Sequence, residues 1–146
     1  MENNKRPPAS VIFIFGGSGD LNYRKLTPAL YNLFLDGWLP EQFAIAGIGR
    51  SAYDNEHYRE RLLDGVTQFS RRKGQQNGHW KEFSESVQYL QMDAENPDAY
   101  NAISKLVAAK TQEWGITPNV LFYLAVAPQL VPGIAQKLGK LEVCQN

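Results

Sequence analysis

Six residues, Gly16-Gly17-Ser18-Gly19-Asp20-Leu21, stand where an apolar run stops and helical spacing begins. Residues of these types at that place bind phosphate; none of them breaks a bond. A helix N-terminus carries unpaired N–H groups and a partial positive charge. An anion reaches those groups only if no Cβ stands in the way, and Gly16, Gly17 and Gly19 supply that clearance and the freedom to take positive φ. The Ser18 hydroxyl adds a donor for a phosphate oxygen. Asp20 facing phosphate would repel it, so it is expected to cap the helix through backbone N–H groups with its carboxylate turned aside. Leu21 closes the segment. No Gly-Lys-Ser/Thr follows at P-loop spacing, and the spacing departs from G-x-G-x-x-G, so a purely structural turn competes with nucleotide binding.

A second candidate lies at the end of the next apolar run, Gly47-Ile48-Gly49-Arg50-Ser51. NAD-binding chains carry an acid here for the ribose 2′-hydroxyl. Arg50 stands in its place, with Ser51 beside it. A guanidinium binds a 2′-phosphate in forked geometry, which predicts NADP, against the competing reading of a solvated surface arginine. Asp93, with Ala94 after it, ends the third run at the same edge. It either lines the adenine side or caps the loop before Pro97. His57, His79 and the single cysteine, Cys144, read as ordinary side chains, and no metal-ligand set is read.

The elements that must hold these residues follow from periodicity. Val11-Ile12-Phe13-Ile14-Phe15 reads as a strand buried on both faces. Leu26, Leu30, Leu33 and Phe34 recur at helical spacing up to about Asp36, with Gly37 and Pro40 as stop signals. Pro28 lies inside that segment, so the helix either restarts there, with Thr27 as cap, or is kinked. Phe43–Ile48 is the second strand. Asp54–Ser70 reads as a helix with Tyr58, Leu62, Leu63, Val66 and Phe69 on one face. Arg71–Gly78 is polar and reads as a loop, followed by a short helix that docks Trp80 and Phe83. Val87–Met92 is the third strand. Asn96-Pro97 starts a helix that ends at Gly115. Asn119–Val126 is the fourth strand, and Gln129–Leu138 the last helix. This strand–helix alternation predicts an α/β, Rossmann-like doubly wound parallel sheet with helices on both faces, binding its ligand at the carboxyl ends of the strands.

Composition sets bounds. The 146 residues suffice for one domain with a real core, and 43% of them are hydrophobic. Residues 1–10 are expected to form a flexible segment and residues 11–146 an NADP-binding domain; flexibility is also expected at Arg71–Gly78 and after Leu138. Lys and Arg total 15 against 15 Asp and Glu, which argues against a dedicated nucleic-acid binder. No apolar run approaches the roughly 20 residues of a membrane span. A lone cysteine fits a reducing compartment. A soluble, cytoplasmic protein with neither nucleic-acid nor membrane partner is the expectation.

Four segments taken together resemble one family. Gly16–Leu21 followed by Lys25 resembles the G-x-S-G-D-L-x-x-x-K signature of glucose-6-phosphate dehydrogenase. Leu35-Asp36-Gly37-Trp38-Leu39-Pro40 resembles the family's segment after the first helix. Gly47–Ser51 is similar to its second-strand end, and Phe122-Tyr123-Leu124-Ala125-Val126-Ala127-Pro128 to its F-Y-L-A-L-P-P stretch beside the coenzyme. The resemblance implies that Lys25 lies near the coenzyme and sugar pocket and that Tyr123 and Ala125 lie beside the coenzyme. It implies NADP as cofactor and glucose 6-phosphate as substrate, oxidised at C1 to the 6-phosphogluconolactone at the head of the pentose phosphate pathway.

Departures qualify the match. Ala127 replaces the first proline of the pair, and Val131 stands where some members carry a coenzyme-contacting tyrosine. The family's E-K-P-F-G segment, its R-I-D-H-Y-L-G-K motif and its catalytic histidine do not occur here. The expectation is a coenzyme domain without its C-terminal substrate domain, inactive alone; the resemblance implies a homo-oligomer for the full-length enzyme and a monomer for this chain. Two other readings stand beside it: a stand-alone NADP-binding or interaction module, and a different Rossmann oxidoreductase or sugar-nucleotide enzyme. The last usually needs a Tyr-x-x-x-Lys pair, and Ser104 and Ala127 stand four residues after Tyr100 and Tyr123.

Overall fold

A computed structural model describes residues 7–69 and 76–141. Four parallel strands form one sheet in the order β3-β2-β1-β4: β1 (Ser10–Phe15), β2 (Phe43–Gly49), β3 (Val87–Gln91) and β4 (Asn119–Leu124). β1 pairs with both β2 and β4, Phe15 lying opposite Ile48 on one side and Leu124 on the other. The chain winds outward from β1 to β3, then returns across β1 to place β4. This reversal beside β1 is the point where doubly wound sheets bind ligands. The loops after β1, β2 and β4 all open at this one edge.

The alternation of the strands divides the core into two layers. Val11, Phe13, Phe15, Ala44, Ala46 and Ile48 face α4 (Asn101–Trp114) and α5 (Val131–Gly139), where they meet Tyr100, Ile103, Val107, Ile134 and Leu138. Ile14, Phe43, Ile45, Val87 and Tyr89 face α1 (Thr27–Leu35), α2 (Asn55–Phe69) and α3 (Gln76–Ser84). There Tyr31 packs edge-on to Trp80 and Phe83, at ring centroids of 5.4 and 5.3 Å. Edge-to-face pairs of this kind add about 0.5–1.5 kcal/mol beyond their burial.

The strand–helix order agrees with the expectation, and the boundaries show where local signals were overridden. Ser10 is buried in β1, its N–H donating to the Gln42 carbonyl, instead of ending a flexible segment; residues 1–6 lie outside the described set. Gln76–Gly78, read as loop, open α3; residues 70–75, and residues 142–146 with Cys144, also lie outside the described set. Phe69 is 37% exposed instead of joining the buried face of α2. Asn96 caps as expected, its Oδ1 accepting from the Asp98 N–H at 3.1 Å, but the first turn, Pro97–Tyr100, is a 3-10 turn. A 3-10 turn, Pro128–Leu130, also precedes α5.

Pro28 lies in the first turn of α1, as the restart reading expects, but Leu26 and not Thr27 stands at the cap. Residues Asn22–Leu26 form a π-helical turn, and Thr27 N–H reaches back five residues to the Asn22 carbonyl. A proline cannot donate to the carbonyl four residues earlier, and its ring crowds it. Widening the turn relieves that crowding without breaking the helix. The Thr27 hydroxyl donates to Asn22 Oδ1 and does not cap α1.

Among the described residues β4 lies at the edge of the sheet. Val120, Phe122 and Leu124 pack inward, while Leu121 and Tyr123 stand 53% and 50% exposed on the other face. Among the described residues no helix is long and apolar enough to cross a membrane.

Asp54 caps α2: its Oδ1 accepts the His57 N–H at 2.7 Å and lies 2.8 Å from His57 Nδ1. These bonds from His57 hold the Asp54 carboxyl below its ordinary 3.8, and the carboxylate holds His57 above its ordinary 6.5. The raised His57 value adds stability present below pH 6.5 and lost as pH rises through the folded value. The lowered Asp54 value adds stability present above pH 3.8 and lost as pH falls through its folded value. Thermal melts of the chain and of His57→Gln are therefore expected to differ most at mildly acidic pH and to converge in alkali. A difference independent of pH would contradict the pairing.

Candidate functional site

The loop after β1 is built by hydrogen bonds to its neighbour strand. The N–H groups of Gly16 and Gly17 both donate to the Ile48 carbonyl, at 2.8 and 2.9 Å, and Gly19 N–H donates to Gly16 O at 2.9 Å. Gly16 takes φ +82°, and a Cβ there would run into the Ala125 carbonyl. At Gly17 a Cβ would lie 2.6 Å from Gly47 Cα and 2.9 Å from Ile48 N. Both glycines thus clear protein backbone and not a ligand, which corrects the expectation for them. Only Gly19 looks outward: a Cβ there meets nothing nearer than Gly16 O at 3.1 Å. Helical backbone begins at Asp20, so the N–H groups of its first turn have no intrahelical acceptor. This is a cradle for an anion, with the Cβ-free approach at Gly19.

Two further expectations change. Asp20 does turn its carboxylate aside, but to Arg24, at 2.9 Å, rather than to backbone N–H groups. The Ser18 hydroxyl is turned toward β3, near Gly49 and the Tyr89 phenol, and a hydrogen bond from Ser18 opposes the burial that raises the Tyr89 pKa. Leu21 is 42% exposed beside the cradle. Lys25 lies exposed within the π-helical turn, a local geometry frequent at functional sites.

Beneath the loop lies a buried polar cluster. Asn22, wholly buried, donates from Nδ2 to Gly17 O at 2.8 Å and to Tyr58 Oη at 3.1 Å. Tyr58 donates its own proton to Gly17 O at 2.9 Å. Burial pushes the Tyr58 phenol far above its ordinary range, so it is a neutral donor at every working pH. Gly47 allows that phenol to lie against β2, for a Cβ there would collide with it.

The turn after β2 is held by β3. Tyr89 donates its proton to Ser51 O at 2.7 Å, and Gln91 Nε2 donates to Arg50 O at 3.2 Å. Both side chains at 50 and 51 are exposed. Arg50, Asp93 and Ala94 line one cleft of about 270 Å³, closed on its far side by Leu130, Ile134 and Lys137 around α5. Asp93 lines this cleft, and its Oδ1 accepts the Glu95 N–H at 2.9 Å, which closes the loop before Pro97. Ala94 O accepts from Tyr100 Oη at 2.7 Å, which fixes the floor of the loop. Ala125 donates its N–H to Phe15 O, at the root of the phosphate loop. Tyr123 is not brought to the cleft: it lies on the other face of β4.

The comparisons with known proteins decide the family. The family model described as "Glucose-6-phosphate dehydrogenase, NAD binding domain" matches residues 13–146. The chain belongs to this family. It is similar to the glucose-6-phosphate 1-dehydrogenase of Bacillus subtilis, 33% identical over 138 residues, covering 94% of this chain and 27% of the relative. The Treponema pallidum enzyme is 35% identical over 129 residues, covering 88% and 25%. A solved glucose-6-phosphate dehydrogenase in complex with its substrate glucose 6-phosphate superposes with a TM-score of 0.84 at 28% identity, over 95% of this chain and 28% of that one. The chain thus spans about a quarter of the length of these relatives.

As a glucose-6-phosphate dehydrogenase coenzyme domain, the chain is a nicotinamide-dinucleotide-binding unit. Gly19, the helix start at Asp20 and Leu21, and the Arg50 cleft lie along one sheet edge and fit such a cofactor. Sequence reasoning missed Asn22, Tyr58, Tyr89 and Lys137. Asn22 had a local signal, a polar residue directly after a glycine turn. The three others act across 36 or more residues of separation or through a cleft, which no local pattern shows.

Proposed function

We propose that this domain seats NADP as the hydride acceptor for a glucose-6-phosphate dehydrogenase, with glucose 6-phosphate as the sugar oxidised at C1. The observation that carries the NADP reading is Arg50, standing where the NAD version has an acid and lining a cleft at the carboxyl ends of the strands. Gly19 and the first helical turn would hold the pyrophosphate. NADP, when bound, supplies the hydride acceptor. The residues here bind and orient it, and none of them stands as a base at the sugar: His57 is tied to Asp54 at the start of α2, and His79 is exposed on α3.

Calorimetric titration of the chain with NADP and with NAD tests this. Arg50→Ala is expected to weaken NADP binding about 10- to 100-fold, the loss of a forked charge-assisted contact, and to leave NAD within about twofold. Unchanged NADP affinity in Arg50→Ala would remove the basis of the NADP reading. With glucose 6-phosphate and NADP supplied, this chain alone is expected to show no NADPH formation.

A further inference from the structure

The cleft beneath Arg50 holds a second cation. Lys137 of α5 lines it from the opposite wall. Its Nζ lies only 3.7 Å from where a Cβ at Gly133 would be, so the half-buried side chain folds back along its own helix across a position that has no side chain. Among the described residues no carboxylate lies within ion-pair distance of it. The cleft also carries two acids, Asp93 and Glu95. With Arg50 as the sole cation, its charge would be one negative, a poor environment for a phosphate dianion. Lys137 brings it to balance. Asp93 is further engaged by the Glu95 N–H, while Leu130 and Ile134 present an apolar wall suited to the face of an adenine.

We propose that Lys137 is a specificity-determining residue, a second cation on the adenosine 2′-phosphate that works with Arg50 to favour NADP over NAD. The proposal rests on the reading of Arg50 above. An ammonium is a compact donor with no fixed plane, so it complements the forked guanidinium across the same phosphate. The phosphate would then be held between the β2 turn and α5.

Calorimetry on the 146-residue chain with four probes tests it: NADP, NAD, adenosine 2′,5′-bisphosphate and 5′-AMP. Lys137→Gln is expected to weaken the two 2′-phosphorylated probes about tenfold and the other two by no more than about twofold. Lys137→Arg is expected to retain most of the preference. Circular dichroism melts of each variant exclude unfolding as the cause. Equal weakening of all four probes, or of none, overturns the role of Lys137. If Arg50→Ala abolishes the preference while Lys137→Gln keeps it, the inference fails and the NADP reading stands. If neither substitution changes the preference, both fall.

Discussion

Gly47→Ala is expected to cost about 3–5 kcal/mol of folding stability, a large share of the roughly 5–15 kcal/mol of an ordinary domain, and to remove coenzyme binding with it. The added methyl would collide with the Tyr58 phenol, which is wholly buried and hydrogen-bonded to Gly17 O and Asn22. Overpacking a core costs about 1–3 kcal/mol, and breaking buried hydrogen bonds adds about 1–3 kcal/mol. β2 cannot retreat, because it is paired on both sides, to β1 and β3. Urea unfolding followed by circular dichroism measures the loss. Gly139→Ala is the control: a Cβ there meets nothing within 4 Å, at the end of α5, so it should be neutral or slightly stabilising. Adding Tyr58→Phe to Gly47→Ala removes the colliding oxygen and is expected to recover part of the loss. Strictly additive losses would show that the contact with Tyr58 is not the cause.

The second large effect is expected at Asn22. Asn22→Asp keeps the shape but replaces the Nδ2 donor, which serves Gly17 O and Tyr58 Oη, with an oxygen. At neutral pH the new carboxylate would be buried against a carbonyl oxygen, with no cation hydrogen-bonded in the cluster and only the charge of Arg61 acting from nearby, at a cost of about 3–5 kcal/mol. The group escapes by taking a proton, so its folded pKa lies above its unfolded value of about 3.9. Stability is then fullest below that unfolded value and falls as pH rises toward the folded pKa, beyond which the loss is constant. Denaturation at a series of pH values should show this slope in the variant relative to the unaltered chain. A loss that is the same at every pH would mean that the aspartate stays out of the cluster. Coenzyme affinity should fall in parallel, since Asn22 and Tyr58 jointly hold the carbonyl of Gly17 under the cradle.

Both variants act on contacts between β1–α1 and β2–α2, and these contacts are where sequence reading stopped. Apolar runs place β1, β2 and β4, and the alternation in Val87–Met92 places β3, because side chains along a strand point to the two faces of its sheet in turn. Asn96-Pro97 and Gly115 mark the ends of their helical segment because capping chemistry is local. Pro28 was ambiguous for a physical reason: proline forbids one hydrogen bond but does not say how the turn adapts. The π-helical turn is settled by Asn22, whose side chain is anchored beneath the loop and receives the Thr27 hydroxyl. Resemblance alone puts Tyr123 beside the coenzyme; its position in β4 turns its side chain to the exposed face of the strand.

The glycines separate the two levels most clearly. The amino-acid sequence by itself determines that Gly16–Leu21 join a buried strand to a helix, that Arg50 ends the next strand without an acid beside it, and that these segments match one family. These follow from side-chain type and spacing, which need no partner. Only the tertiary structure decides what each glycine is for. Gly16 clears the Ala125 carbonyl, Gly17 and Gly47 let two backbones and a tyrosine close up, and Gly19 alone is left open to an anion. A missing side chain has no chemistry of its own, so its purpose is set by whatever the fold brings against it.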